Sequence, residues 1–188
     1  MSSDNRSSES PSGSIPEPEP EPPAASAGAL DTSVTDRTGR LDVQDLAWLR
    51  RTLTDAAAAV ARELDVGGEV RVDVIDDEAM AEAHQRWSGI AGTTDVLTFD
   101  LRDVDDGANQ PIDTDAMICL DEAERQAATH NHDTRRELLL YAVHAILHCA
   151  GHDDRDEASA QAMHALEDRV LSAIGVGPVF ATPASEAV

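Results

Sequence analysis

Between residues 135 and 150 the chain is apolar on most sides of a helix, through Leu138, Leu139, Leu140, Tyr141, Val143, Ile146 and Leu147, yet the same stretch carries His144 and His148. A helix that is apolar nearly all round has to be buried, so the domain must assemble around this segment. Residues four apart lie on one helix face. Each imidazole there needs a polar partner, because an unsatisfied buried polar group costs ~1–3 kcal/mol. One shared metal ion answers both needs. Gly151 then breaks the helix, and the chain can fold back to bring a third ligand from His152, Asp153 or Asp154. His152 continues the spacing of four, but roughly 12 Å of unbroken helix would separate it from His144, too far for one ion to bridge. Two imidazoles and one further oxygen or nitrogen leave a position open on zinc, as a hydrolase needs. Ala145 stands where the zinc-protease pattern HExxH carries its general base, which argues against a peptidase of that type.

Around this helix the pattern alternates between periods of 3.6 and 2. Leu46, Leu49, Leu53, Ala57, Val60 and Leu64 recur at three- and four-residue steps and predict a helix over 43–64, stopped by Gly67-Gly68. Val70, Val72 and Val74 alternate with charged residues and predict a strand over 69–75. Asp76, Asp77 and Glu78 open a second helix, 76–87, with acids at its positive end. A Gly- and Thr-rich loop (88–94), a strand (95–101), a polar loop (103–113) and a short central strand (116–120) follow. Helices are expected over 121–130, 135–150 and 156–174, the last ending at Gly175. Asp133 or Thr134 can cap the central helix, with Glu137 completing a capping box. His130 and His132 flank a loop and read as exposed, His164 as a surface residue, Arg135-Arg136 as a solvated helix start, and Asp95 as a turn anchor close to the proposed cleft.

The flanks are different in kind. Residues 1–38 are rich in Ser, Pro and Glu, including Pro-Glu repeats from Pro16 to Pro23, and cannot bury enough apolar area to offset chain entropy. They are expected to form a disordered acidic tail, with a hydrolase domain over 39–176 and a frayed end over 177–188. The tail holds seven acids against Arg6 and Arg37, so of the formal net charge of -23 about -18 stays on the domain. That argues against a non-specific grip on nucleic acid, which needs cations to displace counterions. All 14 basic residues are arginine, as composition bias toward alanine and arginine or adaptation to high salt would produce. Cys119 and Cys149 sit in apolar contexts and read as buried free thiols. With no apolar leader and no run long enough to span a bilayer, a cytoplasmic protein is expected.

Three segments carry a family resemblance. His144-Ala-Ile-Leu-His148-Cys-Ala-Gly151-His-Asp153-Asp154 is similar to the pattern HGxLHLxGYDH of the YbeY family of bacterial endoribonucleases. Thr94-Asp-Val-Leu-Thr-Phe99 is similar to its T-[DN]-V-L-S-F strand, and Asp115-Ala-Met-Ile-Cys-Leu120 to its G-D-I-x-I-x strand, in the same order and with fitting spacing. The resemblance runs over about 43–174. It implies an α+β, zincin-like metallohydrolase domain with a small mixed four-stranded sheet and about five helices, and one zinc ion per chain held by His144, His148 and Asp154. It further implies cleavage of single-stranded RNA in small-subunit rRNA maturation and ribosome quality control, with the ribosome or an assembly-factor partner delivering substrate and no membrane involved. Three positions depart from the family: Asp154 replaces the third histidine, His152 a tyrosine, and Ser88 an arginine important for activity. Carboxylate is an ordinary zinc ligand. The nearest basic residue to position 88 is Arg86, expected to hold phosphate, and Asp153 is a candidate for orienting water or a ligand histidine. The alternatives are a non-catalytic ribosome-assembly factor with a structural metal, and a hydrolase acting on a less anionic substrate.

Overall fold

The computed structural model describes residues 28–102 and 110–180. In chain order they form β1 (Leu30–Asp36), α1 (Val43–Leu64), β2 (Gly68–Ile75), α2 (Asp77–Ser88), β3 (Val96–Asp100), β4 (Ile112–Cys119), α3 (Leu120–His130), α4 (Thr134–Cys149) and α5 (Glu157–Ala173). The architecture is α+β, one mixed sheet in the order β1-β2-β4-β3. β1, β2 and β4 run parallel, and β3 pairs antiparallel with β4.

The period-2 pattern puts Val70, Val72 and Val74 of β2 beside Thr114, Ala116 and Ile118 of β4 in register, all buried under the helices. Full burial of one such valine contributes about 1.5–3 kcal/mol. The opposite face is charged where no helix covers it: Arg71 reaches Asp113 at 2.5 Å and Asp115 at 2.6 Å across the β2–β4 pair. Further along that face α2 packs Met80 against Ile75, Cys119, Leu97 and Met117.

β1 is a correction to the expected tail. Residues 30–36 are a strand, held by the parallel ladder from Leu30–Gly68 to Asp36–Val74, whereas residues 1–27 lie outside the described residues. The segment offers only Leu30 and Val34 to the core, too few for a sequence signal. Its free edge is covered by Arg50 of α1, whose Nε and Nη2 donate to the Val34 carbonyl at 3.0 and 2.8 Å. α1 ends before the expected glycine pair, at Asp65, which takes a left-handed φ of 55° and caps it, and Gly68 starts β2. A Cβ on Gly68, at φ +134°, would fall 1.9 Å from the Ile112 carbonyl oxygen, so only glycine lets β2 and β4 begin side by side.

α4 is the buried helix that its composition demands, packed against α1, α3, α5, β3 and β4. Its start differs from expectation. Asp133 is the N-cap but makes no side-chain capping bond, and Glu137 turns inward rather than back to the cap. Its carboxylate lies 3.0 Å from His132 Nε2, with both side chains largely buried, so a contact with His132 replaces the capping box. His132 is therefore not an exposed residue, whereas His130 is exposed as the last residue of α3. Arg135-Arg136 are not simply solvated either: Arg135 lies over the Trp48 ring and pairs with Asp45, and Arg136 donates to the carbonyls of Gly177 and Pro178. That last contact, with Val179 and Phe180 amides donating to Asp168, holds residues 177–180 in place, where a frayed end was expected; residues 181–188 lie outside the described ones.

Candidate metal centre

At the end of α4 the chain reverses. The Gly151 and His152 amides donate back to His148 and Leu147 carbonyls, and Gly151 takes φ +94°, a backbone state that L side chains rarely adopt. Arg102 Nη2 donates to the Cys149 carbonyl at the negative end of the helix. Asp153 closes the turn: its Oδ1 accepts from the Asp154 and Arg155 amides, and its Oδ2 pairs with Arg155 at 2.6 Å. Despite some burial, that cation holds its carboxyl below the usual range. Both oxygens are thereby committed to the turn, which presents Asp154 to the helix face.

His144, His148 and Asp154 come together there. The two Nε2 atoms are 3.0 Å apart, and each lies 3.6 Å from a different oxygen of Asp154. The other ring nitrogens decide the chemistry. His144 Nδ1 is 2.7 Å from Glu167 Oε1, and His148 Nδ1 is 3.1 Å from the His152 carbonyl. Both partners accept, so both Nδ1 atoms carry the proton and both Nε2 lone pairs aim at the same point, beside a carboxylate. Two lone pairs and an anion converging on one spot repel unless a cation sits among them. Glu167 is fully buried. Burial pushes the His144 pKa down, but the Glu167 carboxylate outweighs it and the net shift is upward.

The donor set fits zinc. Ligand atoms at ~2.1 Å on a tetrahedron lie about 3.4 Å apart, which the 3.0, 3.6 and 3.6 Å spacings bracket. The carboxylate–histidine pair formed by Glu167 is the usual support of a ligating imidazole. His152 contributes its carbonyl to His148, not its ring to the trio. Cys149, buried, leaves the trio to the two histidines and Asp154.

A cleft of about 830 Å³ opens beside the trio, lined by His144 and Asp154 from one side, Thr94 and Asp95 from the β3 entry, and Glu122, His130, His132, Arg136, Glu137 and Tyr141 from α3 and α4. Asp95 does anchor its turn, accepting from Thr94 Oγ1 and the Val96 amide at 2.9 Å each. Arg86 is not among the lining residues. Its guanidinium sits 5.2 Å over the neighbouring Trp87 ring in the last turn of α2, where cation–π attraction and the helix dipole both favour it. Among the described residues, two other groups have metal-like spacing. Asp77, Cys119 and Asp121 form one, but the carboxylates already pair with Arg125 and Arg40, and burial pushes the thiol up to about 11. His130, His132 and Glu137 form the other, where the carboxylate already lies against His132 Nε2 at 3.0 Å.

Glu167 is the residue of the candidate site that sequence reasoning missed. It sits among Met163, Leu166, Val170 and Leu171 on the buried stripe of α5. A charged residue on an apolar stripe was the available signal.

A family profile described as Endoribonuclease YbeY matches residues 33–175. Endoribonuclease YbeY of Salinispora tropica is 38% identical over 135 residues, covering 63% of this chain and 86% of that protein. Endoribonuclease YbeY of Mycobacterium ulcerans is 34% identical over 128 residues, covering 63% of this chain and 72% of that protein. The solution structure of TM1509 from Thermotoga maritima superposes with a TM-score of 0.51 at 21% identity, over 84% of this chain and 99% of that one, and so shares the fold. By the profile match over most of its length, by these relatives and by the motif on α4, the chain belongs to the YbeY family of endoribonucleases.

Proposed function

We propose that this protein is a zinc-dependent endoribonuclease that cuts single-stranded RNA in the cytoplasm, in small-subunit (16S) rRNA processing, ribosome maturation and ribosome quality control. The observation that carries the reading is the pair of Nε2 lone pairs 3.0 Å apart with Asp154 at 3.6 Å from each, on the wall of a cleft. Bound there, zinc supplies Lewis acidity toward a phosphoryl oxygen and acidifies water toward a pKa of ~7. The protein's own part is orientation. Glu167 and the His152 carbonyl hold each imidazole in the tautomer that keeps Nε2 free. Asp153 acts by shaping the Gly151–Arg155 turn that carries Asp154, not as a base in the cleft. Asp154 in place of a third imidazole would lower the charge of the filled site and so acidify water there less strongly. RNA enters as a single strand, delivered by the ribosome or an assembly factor, since a chain of net charge -23 has little long-range attraction for it.

Zinc per chain, measured on purified protein and on His148→Ala, is the first test. About one ion should be bound by the natural chain and nearly none by the variant, with cleavage of a single-stranded oligonucleotide lost in step. Unchanged zinc in the variant defeats the assignment. One observation favours a second reading, a non-catalytic assembly factor with a structural metal: Ser88 stands at the family's arginine position and Arg86 is turned onto Trp87. Rescue of rRNA maturation by His144→Ala in cells would favour it over the enzyme.

A further inference from the structure

The cleft has a second feature, where the middle of α5 meets the segment that follows it. His164 and Phe180 stack in parallel, ring centroids 3.9 Å apart and 11° between planes, and both line the cleft that contains His144 and Asp154. Phe180 remains 44% exposed although the His164 ring covers one of its faces. One ring face is thus taken by His164, while close to half of the residue stays open to solvent.

This geometry is built, not incidental. Residues 177–180 are drawn back over the domain by Arg136, which donates to the Gly177 carbonyl at 3.1 Å and to the Pro178 carbonyl, and by Asp168, whose Oδ1 accepts from Val179 at 2.6 Å and Phe180 at 3.0 Å. His164, Glu167 and Asp168 lie three and four residues apart, on one side of α5. One helix face thus backs the ring pair, orients His144 and pins the segment bearing Phe180. Phe180 lies outside residues 33–175, the part matched by the family profile.

From these observations we propose that Phe180, backed by His164, is a stacking platform for one unpaired nucleobase of the RNA strand held in the cleft. The proposal rests on the endoribonuclease reading and adds to it where the substrate's binding energy comes from. With net charge -23 and no lysine, the chain has few cations to displace counterions from phosphates. Stacking needs none: every base has a π face, and aromatic platforms bind single strands with little regard to sequence. A base inside a duplex has both faces covered, so the platform also selects for unpaired RNA.

The test is fluorescence anisotropy of the full-length, zinc-loaded protein with a labelled 2′-O-methyl oligouridine ten-mer carrying one 2-aminopurine, compared with the same strand in a duplex. Phe180→Ala should weaken single-strand binding on the order of ten- to a hundredfold and abolish 2-aminopurine quenching. Phe180→Trp should keep both, and Phe180→Leu, apolar but without a π face, should behave like alanine. The natural protein's affinity should fall only shallowly with salt. Absence of binding, equal binding by all variants, or full rescue by leucine overturns the platform. If the variants separate as stated but zinc-loaded protein cuts no unmodified strand, the platform stands and the nuclease reading falls. If RNA is cut with KM indifferent to Phe180→Ala, the nuclease stands and the platform falls.

Discussion

Glu167 gives the sharpest test of how the centre is held. Its carboxylate is fully buried and accepts from His144 Nδ1 at 2.7 Å. Glu167→Gln keeps an acceptor at that position but removes the charge; Glu167→Ala removes both. Outer-shell substitutions of this kind cost about 10–100-fold in metal affinity, or ~1.4–2.7 kcal/mol. The glutamine variant belongs near the lower figure, because the tautomer of His144 is still enforced, and alanine near the upper one. Metal stabilises the fold through preferential binding to the native state, so a tenfold weaker site takes ~1.4 kcal/mol from the metal-dependent part of stability. For a domain of this size that is a Tm lower by about 3–6 °C. In chelator the order should reverse. A buried carboxylate is costly without a full cation beside it, so metal-free Glu167→Gln should melt no lower than the natural chain. The assay is thermal unfolding with and without excess EDTA, alongside zinc competition against a chromophoric chelator. Unchanged zinc affinity in Glu167→Gln, or an equal Tm loss with and without metal, would falsify the proposed role.

Gly151→Ala should cost ~1–2 kcal/mol through backbone strain alone, because φ is +94° and nothing lies within 4 Å of the added Cβ; zinc affinity should drop with it, read by the same two assays. For metal-free protein, acid unfolding follows from the carboxylates of Asp77, Asp100 and Asp121, which Arg125, Arg102 and Arg40 hold below the ordinary 3.8. Their contribution is present above that value and disappears as pH falls through the lowered pKa values, so Tm should peak on the mildly acidic side, near ~pH 5, where charge repulsion is already relieved, and drop steeply below about pH 3.8. A Tm still rising below pH 3 would contradict this. Added salt screens the repulsion of a chain at -23, so the metal-free Tm should climb between 0.1 and 1 M NaCl; a fall would show that the surface ion pairs outweigh it. Arg50→Ala uncovers the free edge of β1, and amide exchange should then quicken in residues 30–36 ahead of the rest of the sheet.

The amino-acid pattern by itself determined the elements whose signal is local. The alternation of Val70, Val72 and Val74, the steps from Leu46 to Leu64, and the nearly unbroken apolar surface of α4 each follow from how one segment partitions between water and core. For the same reason the spacing of His144 and His148 and the stop at Gly151 already outlined a two-histidine site with a third ligand among His152, Asp153 and Asp154, and the family resemblance pointed to Asp154. What the tertiary structure alone decided depends on residues far apart in the chain. β1 carries two core side chains and exists because β2 supplies a ladder and Arg50 covers its edge. Glu137 looked like a capping residue until the buried His132 claimed it. Arg86, close to the motif in sequence, went to the Trp87 ring, while Glu167, 23 residues beyond His144, fixes that histidine's proton. Phe180 entered the cleft only because Arg136 and Asp168 recapture the end of the described chain. Periodicity encodes which face a residue occupies; which charge it meets there is settled by the packing of helices that the local pattern does not order in space.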